Sequence, residues 1–86
     1  MRDYLDVAPG YGIARVPVAA PFSSRSLADV DLTGEYRVTV LALHREGNVT
    51  LHPHASEMLH LGDELIVAGL DEDLEKLPGT GALPPS

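Results

Sequence analysis

The segment from Arg37 to His44 constrains the fold more than any other part of the chain, because it is largely apolar on both faces. In an extended strand, side chains two residues apart project from the same face. One face carries Val38, Val40, Ala42 and His44, and the other carries Thr39, Leu41 and Leu43. A strand with one solvated face would alternate apolar and polar residues. The sequence therefore predicts a central strand that is covered on both sides.

A hairpin is predicted directly after this strand. The polar run from Arg45 to Asn48 includes Gly47, and both glycine and asparagine adopt the positive φ of tight turns. Residues 49–52 then return as a second strand. Pro53 ends that strand, because proline has no backbone N–H to donate.

Two further strands are predicted outside the hairpin. The alternation from Ile13 to Val18 indicates a strand, and Pro17 puts it at a sheet edge or marks its end. The apolar run from Leu65 to Gly69 indicates a second, buried strand.

Two short helices are also predicted. Ser26 carries the side-chain oxygen of a helix N-cap, and the glycine of Thr33-Gly34 is expected to end that first helix. Residues 71–77 are expected to form the second helix, with acidic side chains at its positive N-terminal end. Between the hairpin and the last strand, residues 55–61 fit either a single helical turn or a packed loop.

This order of elements is typical of an α+β fold. We expect a small, mostly antiparallel sheet of about four strands with two short helices. Residues 1–12 are expected to be a lead-in, because Pro9, Gly10 and Gly12 interrupt them. Residues 78–86 are rich in proline and glycine and predict a disordered tail.

Charge and composition exclude several classes of function. The 86 residues include 13 acidic and 6 scattered basic side chains, a net charge of −7, so DNA, RNA and anionic lipid should repel the chain. Cysteine is absent, which removes thiolate metal sites and thiol nucleophiles. No apolar run approaches the roughly 20 residues that span a bilayer. No signal peptide is evident either, so the chain is expected in the cytoplasm.

No catalytic constellation is evident. Gly10-Tyr11-Gly12 lacks the third glycine and the strand-to-helix setting of a dinucleotide fingerprint. The serines lack the context of a nucleophile elbow. The sequence does not predict an enzyme.

The histidines are the candidate metal ligands. His52 and His54 would share a face in an extended segment, and His44 lies on the partner strand of the hairpin. Together with Glu57 they would make a site for zinc or another divalent ion. The competing interpretation is that these are surface histidines around Pro53.

Four segments occur in an order and spacing that resemble one known family. Residues 59–69, LHLGDELIVAG, are similar to the pattern L-x-x-G-D-x-L-i-V-x-G, and residues 38–47 are similar to V-x-V-l-a-I-x-R-x-G. Pro53 falls where that family has a proline, and residues 26–30 resemble the start of its first helix. On these segments the chain resembles the RCK C-terminal (TrkA-C) domain over residues 13–77.

The resemblance implies a regulatory role. RCK C-terminal domains belong to cytoplasmic regulators of potassium channels and transporters, and they usually follow a Rossmann-type domain. They dimerise, and some bind cyclic di-AMP at the dimer interface. The resemblance thus implies a homodimer that reaches the inner membrane through a cation channel or transporter subunit. It also implies a ligand site at the end of the first helix and the strand after it, comprising Val30, Asp31, Leu32, Thr33, Gly34, Arg37, Val38 and Pro53.

Two positions depart from the ligand-binding pattern of the family. Thr33 stands where cyclic di-AMP binders carry an arginine, and Arg37 stands where the family commonly has glycine. The first change matters because the fork of an arginine matches a phosphate. Three functions therefore stay open: a ligand-sensing and dimerisation domain, a purely structural dimerisation module, and a module that binds a divalent metal through its histidines.

Overall fold

A five-stranded antiparallel sheet organises the chain in a computed structural model that describes residues 4–78. Short helices pack against it, which confirms the expected α+β class and small antiparallel sheet. None of the helices in this range is long and apolar enough to cross a membrane. The elements are β1 (Tyr4–Ala8), β2 (Tyr11–Pro17), α1 (Leu27–Val30), α2 (Leu32–Tyr36), β3 (Thr39–Arg45), β4 (Asn48–Leu51), β5 (Glu64–Leu70) and α3 (Asp71–Leu74).

The strands lie in the order β1-β2-β5-β3-β4, so the last strand in sequence is inserted between β2 and β3. The helices cover one face of this sheet. There the buried cluster is aliphatic, with Val16, Leu65 and Val67 from the strands against Leu59 and Leu74. A single core on one face therefore holds the elements together, because a small domain has room for little more.

A β-bulge at Leu41 changes which residues of β3 face that core. Val40 pairs with Val67 of β5, and the next paired residue is Ala42, so Leu41 is an extra residue. One extra residue reverses the alternation of faces. Leu43 joins the core cluster and Ala42 does not. The predicted faces are therefore correct only up to the bulge.

The sheet extends further towards the N-terminus than expected. Residues 4–8, which the sequence assigned to a lead-in, form the edge strand β1, and Leu5 pairs with Ile13 of β2. The glycine at position 10, which suggested a loop, has φ +82 in the turn that joins β1 to β2. Pro17 was expected either to lie at a sheet edge or to mark the end of its strand. It is the last residue of β2, and β2 is an inner strand, so the second alternative is observed.

The expected first helix is split in two at Asp31. Ser26 caps α1 as predicted, because its hydroxyl accepts the Asp29 N–H at 3.1 Å. Asp31 then adopts the left-handed conformation at φ 53, which ends α1, and its carboxylate caps α2 by accepting the Gly34 N–H at 3.1 Å. Gly34 thus lies within α2 and does not end a helix. The left-handed residue that ends α2 is Arg37.

The later elements differ in detail from the prediction. Of the two alternatives for residues 55–61, the packed loop is observed, with Leu59 buried and Leu61 exposed. Gly62 has φ +96 in the turn that leads into β5, a conformation that suits glycine because it has no β-carbon. α3 is shorter than expected and ends at Leu74. Of the expected disordered tail, only Pro78 lies within the described residues.

Arg45, at the end of β3, holds the loop that precedes β5. Its Nε and Nη2 atoms donate to the two carboxylate oxygens of Asp63 at 2.9 and 2.7 Å. Its Nη1 donates to Glu57 at 3.1 Å, and the Met58 carbonyl accepts from Nη2 at 2.7 Å. One guanidinium therefore binds three points of the loop, whereas the sequence predicted only a polar turn for this residue.

The Asp63 carboxylate is almost fully buried, with 4% of its side chain exposed. It also accepts the backbone N–H of His60 at 2.8 Å, which closes the turn around Gly62. The hydrogen bonds from Arg45 hold the pKa of Asp63 below its usual range, against the opposing effect of burial. Asp63 is therefore charged in the folded state at neutral pH.

Replacing Arg45 with methionine should strongly destabilise the protein, because Asp63 would remain buried without its cationic partner. Removing one partner of a buried pair costs about 3–5 kcal/mol of stability. Because Arg45 is partly exposed, we expect a loss at the lower end of this range, about 3 kcal/mol. Urea unfolding measures this loss. Arg37→Met is the matched control, since the Arg37 side chain has no hydrogen-bond partner among residues 4–78 and should change stability by only about 0.5 kcal/mol. Equal losses in the two variants would contradict the role of Arg45.

Acid should weaken the fold through Asp63. A carboxyl whose folded pKa lies below its unfolded pKa contributes stability that is complete above the unfolded value, about 3.9, and is lost as pH falls through the folded value. The unfolding free energy should therefore decline as pH falls below about 4. In Asp63→Asn, urea unfolding at each pH should show a shallower decline over this range. A slope identical to that of the wild type would exclude Asp63 as a source of the acid sensitivity.

Candidate functional site

A surface pocket lies where the two helices meet the first residues of β3. β4 pairs with β3 only from Ala42 onwards, so no strand of the described range 4–78 lies beside the preceding edge of β3. The pocket occupies this margin and has a volume of about 310 Å³. That volume is at the small end of the range for ligand sites. Its wall consists of Leu27, Ala28, Asp31, Leu32, Thr33, Thr39, Val40, Pro53 and Ala55.

Asp31 supplies the charge of the pocket, and its position is fixed by the helix break. Its backbone N–H donates to the Leu27 carbonyl at 2.9 Å, and its carbonyl accepts from Glu35 at 2.8 Å. A β-carbon at Gly34 would contact the Asp31 carboxylate, so this position has no room for a side chain. The carboxylate keeps acceptor capacity beyond its bond to the Gly34 amide and can accept a ligand N–H or O–H.

Thr33 ties the helices to β3. Its hydroxyl donates to the Val38 carbonyl at 3.0 Å, and its carbonyl accepts the Arg37 N–H at 3.0 Å. The hydroxyl proton is therefore committed to the fold. Only the lone pairs of the oxygen remain for a ligand.

The structure brings together half of the predicted ligand residues. Val30 and Val38 do not line the pocket, because they are 4% and 1% exposed and pack in the core. Gly34 and Arg37 lie beside the pocket wall but do not form part of it. The predicted residues in the wall are Asp31, Leu32, Thr33 and Pro53.

The rest of the wall was not predicted. Ala55 belongs to it because the segment after Pro53 approaches α1, where the Ala28 N–H donates to the Ala55 carbonyl at 2.9 Å. That contact joins segments far apart in sequence, and neither segment carries a pattern that indicates the other. The unpredicted wall residues are Leu27, Ala28, Thr39, Val40 and Ala55.

Arg37 is exposed and has a left-handed backbone at φ 64. A β-carbon in this conformation costs roughly 1–2 kcal/mol, which gives a physical reason for glycine at the matching family position. Among residues 4–78 its guanidinium has no hydrogen-bond or ion-pair partner. It is thus an available cation two residues before β3, the strand that lines the pocket.

The pocket wall contains one carboxylate and no cationic side chain. Arg25, which precedes α1, donates hydrogen bonds to the Asp29 carboxylate at 3.1 Å and to the Asp29 carbonyl at 2.9 Å, so it is already paired. A phosphate in this pocket would therefore depend on Arg37 or on groups from a second protein copy.

The histidines do not form the metal cluster that the sequence suggested. His44 contacts Glu64 at 3.1 Å, whereas His54 contacts Ser56 at 2.9 Å. His52 has a left-handed backbone at φ 51, which breaks the alternation that would have placed it on one face with His54. No group of three or more potential ligands that could hold a metal occurs within residues 4–78. The described residues therefore do not bring His44, His52 and His54 together as a metal site.

The sequence matches a known family over most of its length. The profile of the TrkA-C domain matches residues 13–77. This range includes every residue of the pocket wall.

Two curated proteins of Bacillus subtilis (strain 168) are similar to the chain. Ktr system potassium uptake protein A is 24% identical over 79 residues, which cover 92% of this chain and 36% of that protein. Ktr system potassium uptake protein C is 27% identical over 74 residues, which cover 86% of this chain and 34% of that protein. The chain spans about a third of the length of these relatives.

Solved structures share the fold. The RCK C domain of the potassium transport protein KtrA, in complex with cyclic di-AMP, has a TM-score of 0.74 and 26% identity, with 80% of this chain and 81% of that chain covered. The RCK_C domain dimer of S. agalactiae BusR, in complex with cyclic di-AMP, has a TM-score of 0.62. At 19% identity, with 71% of this chain and 82% of that chain covered, BusR supports the fold alone.

Two substitutions at Asp31 should separate its structural role from its charge. Asp31→Asn keeps a side-chain acceptor for the Gly34 amide and a residue type that tolerates left-handed φ, so its stability should stay within about 0.5 kcal/mol of the wild type. Asp31→Ala loses both properties and should cost about 1–2 kcal/mol in urea unfolding. If both variants lose the same stability, capping by Asp31 does not hold the helix break.

Proposed function

The chain belongs to the TrkA-C domain family, which is regulatory and not enzymatic, and on this premise we propose that it is a cytoplasmic ligand-sensing and dimerisation domain of a potassium or other cation transport system. Its partners would be a second copy of itself and a membrane cation channel or transporter subunit. The similarity to two Ktr potassium uptake proteins supports this assignment.

The pocket is the observation that carries the proposal. Residues of α1 and α2, which together we call the helical corner (residues 27–36), converge on one concavity with the start of β3 and the segment after β4. A site that assembles distant segments responds to their relative positions. A ligand that binds one arrangement better than another therefore shifts the population towards it.

We infer that the ligand is a small nucleotide such as cyclic di-AMP. Leu27, Leu32, Val40 and Pro53 give the pocket apolar surface for a base. The Asp31 carboxylate can accept from the amino group of an adenine, and the Arg37 guanidinium, which has no partner among residues 4–78, suits a phosphate. The similar KtrA domain, whose structure contains cyclic di-AMP, supports this ligand class.

Regulation would follow from the shape of the pocket. The pocket is small and open at the surface, so a ligand seated in it would remain partly exposed on a single copy. A second copy that closes over the ligand would bury the remainder. Occupancy is then coupled to the geometry of the pair, and any transport subunit attached to the pair senses that geometry.

A structural dimerisation module without a ligand is the second candidate. The charge of the pocket favours it, because Asp31 would repel a phosphate and no cation lines the wall. Thr33, in place of the arginine of the family, has its hydroxyl proton committed to Val38. In this case the helical corner would serve only to shape the fold.

Thermal unfolding with and without nucleotides separates the two functions. At a concentration one hundred times its Kd, a ligand adds about 2.7 kcal/mol, which raises the Tm of a small domain by about 10 °C or more. Cyclic di-AMP should produce such a shift, whereas AMP should produce a smaller one because it carries one base. No shift with any nucleotide would support the structural module.

Charge variants locate the site in the same assay. Arg37→Gln should reduce the shift caused by cyclic di-AMP, because it removes the available cation beside the pocket. Asp31→Asn should increase the shift, because it removes the repulsion of phosphate. Lys76→Gln removes one positive charge from an exposed position outside the pocket wall and should leave the shift unchanged. If Lys76→Gln reduces the shift as much as Arg37→Gln, binding is nonspecific.

A further inference from the structure

A second recess lies between the helical corner and the segment from Pro21 to Arg25, next to the pocket proposed for the nucleotide. Its volume is about 460 Å³. The side chains that give it its chemical character are two aromatic rings and four charged groups: Phe22, Tyr36, Arg25, Asp29, Asp31 and Glu35. We call this cavity the acidic recess, because three of its four charged side chains are carboxylates.

An aromatic pair gives the acidic recess a fixed wall. Phe22 is buried in the core, and the ring of Tyr36 meets it edge to face, with the ring centroids 6.0 Å apart. This contact holds the Tyr36 ring in the same wall as the carboxylates. A cation that enters the recess can therefore contact an aromatic ring as well as a carboxylate.

The acidic recess already holds one guanidinium, that of Arg25. This group donates to the Asp29 carboxylate at 3.1 Å, to the Asp29 carbonyl at 2.9 Å and to the Pro21 carbonyl at 3.2 Å. Several acceptors around one planar group suit the fork of a guanidinium better than the compact charge of an ammonium. The chemistry of the recess therefore favours a guanidinium as its cation.

The pairing of Arg25 with Asp29 leaves two carboxylates of the recess without a cation. The Glu35 side chain has no hydrogen-bond or ion-pair partner among residues 4–78. The Asp31 carboxylate accepts the Gly34 N–H, which is uncharged. The described wall contains three carboxylates against one guanidinium, an excess of two negative charges. A second guanidinium from outside the chain would offset this excess.

We propose that the acidic recess binds an arginine side chain from a basic cytoplasmic segment of the membrane transport subunit. The inference rests on the proposed function in one respect, which is that the partner is a membrane protein. Cytoplasmic loops of membrane proteins carry an excess of lysine and arginine. A chain of net charge −7 attracts such a segment from a distance, and the recess gives that attraction a specific point of contact.

The acidic recess and the nucleotide pocket share Ala28 and Asp31 in their walls. A guanidinium beside Asp31 offsets the negative charge that repels a phosphate in the neighbouring pocket. The arginine and the nucleotide therefore strengthen each other's binding, and the two effects are equal by thermodynamic linkage. Occupancy of the pocket is thus communicated to the transport subunit through one carboxylate.

Fluorescence anisotropy with a labelled Gly-Ser peptide that carries two arginines tests this contact on the full 86-residue chain, without nucleotide. The peptide should bind at about 0.15 M salt, where long-range attraction is screened, and the same peptide with glutamines in place of the arginines should not. Glu35→Gln should weaken binding about fivefold, because it removes the carboxylate that lacks a partner among residues 4–78. Saturating arginine peptide should then lower the Kd of cyclic di-AMP about fivefold.

Glu72→Gln is the matched control, because Glu72 is exposed on α3, outside the wall of the recess, and its replacement removes the same charge. Its binding of the arginine peptide should equal that of the wild type, and circular dichroism verifies that each variant is folded. Equal weakening by Glu35→Gln and Glu72→Gln would overturn the proposal, since the peptide would then respond only to net charge. No binding of the arginine peptide while cyclic di-AMP still binds would also overturn it and leave the nucleotide site in place. Peptide binding that depends on Glu35 in a chain that does not bind cyclic di-AMP would support the recess and remove the nucleotide.

Discussion

The ion pair between Arg45 and Asp63 is the contact on which the rest of the structure depends. β5 is inserted between β2 and β3, so the chain must cross from the hairpin to the middle of the sheet through the loop after β4. Arg45 binds that loop at three residues, and Asp63 is buried where the loop enters β5. The same loop supplies Pro53 and Ala55 to the pocket wall. Stability of the sheet and shape of the pocket are therefore linked through one guanidinium.

Local features of the fold could be predicted from the sequence because their causes are local. A serine at the start of α1 caps the helix, and glycine at position 62 takes the positive φ of its turn. The bulge at Leu41 could not be predicted, because it depends on how β3 aligns with a strand more than twenty residues away. The helix break at Asp31 was hidden for a similar reason: an aspartate is ordinary in a helix pattern, and only its contacts show the left-handed turn.

The residues of the candidate site likewise divide into those that the sequence could predict and those that depend on tertiary contacts. The resemblance to a family identified four residues of the pocket wall, since three lie in α1 to α2 and the fourth is Pro53, which falls where the family has a proline. It also named Val30 and Val38, whose side chains the core requires. The contribution of Ala55 depends on a tertiary contact with Ala28, and no periodicity in the sequence indicates it. The histidines do not cluster because one left-handed residue, His52, separates side chains that an extended strand would have aligned.

The central claim is that the concavity between the helices and β3 receives a small nucleotide. A titration of the ¹⁵N-labelled protein with cyclic di-AMP, followed by amide chemical shifts, tests it most directly. The account predicts saturable shifts concentrated in residues 27–40 and 53–55, with little change at the turn around Gly62. The absence of shifts at high nucleotide concentration, or shifts centred on His44 and Glu64, would contradict it.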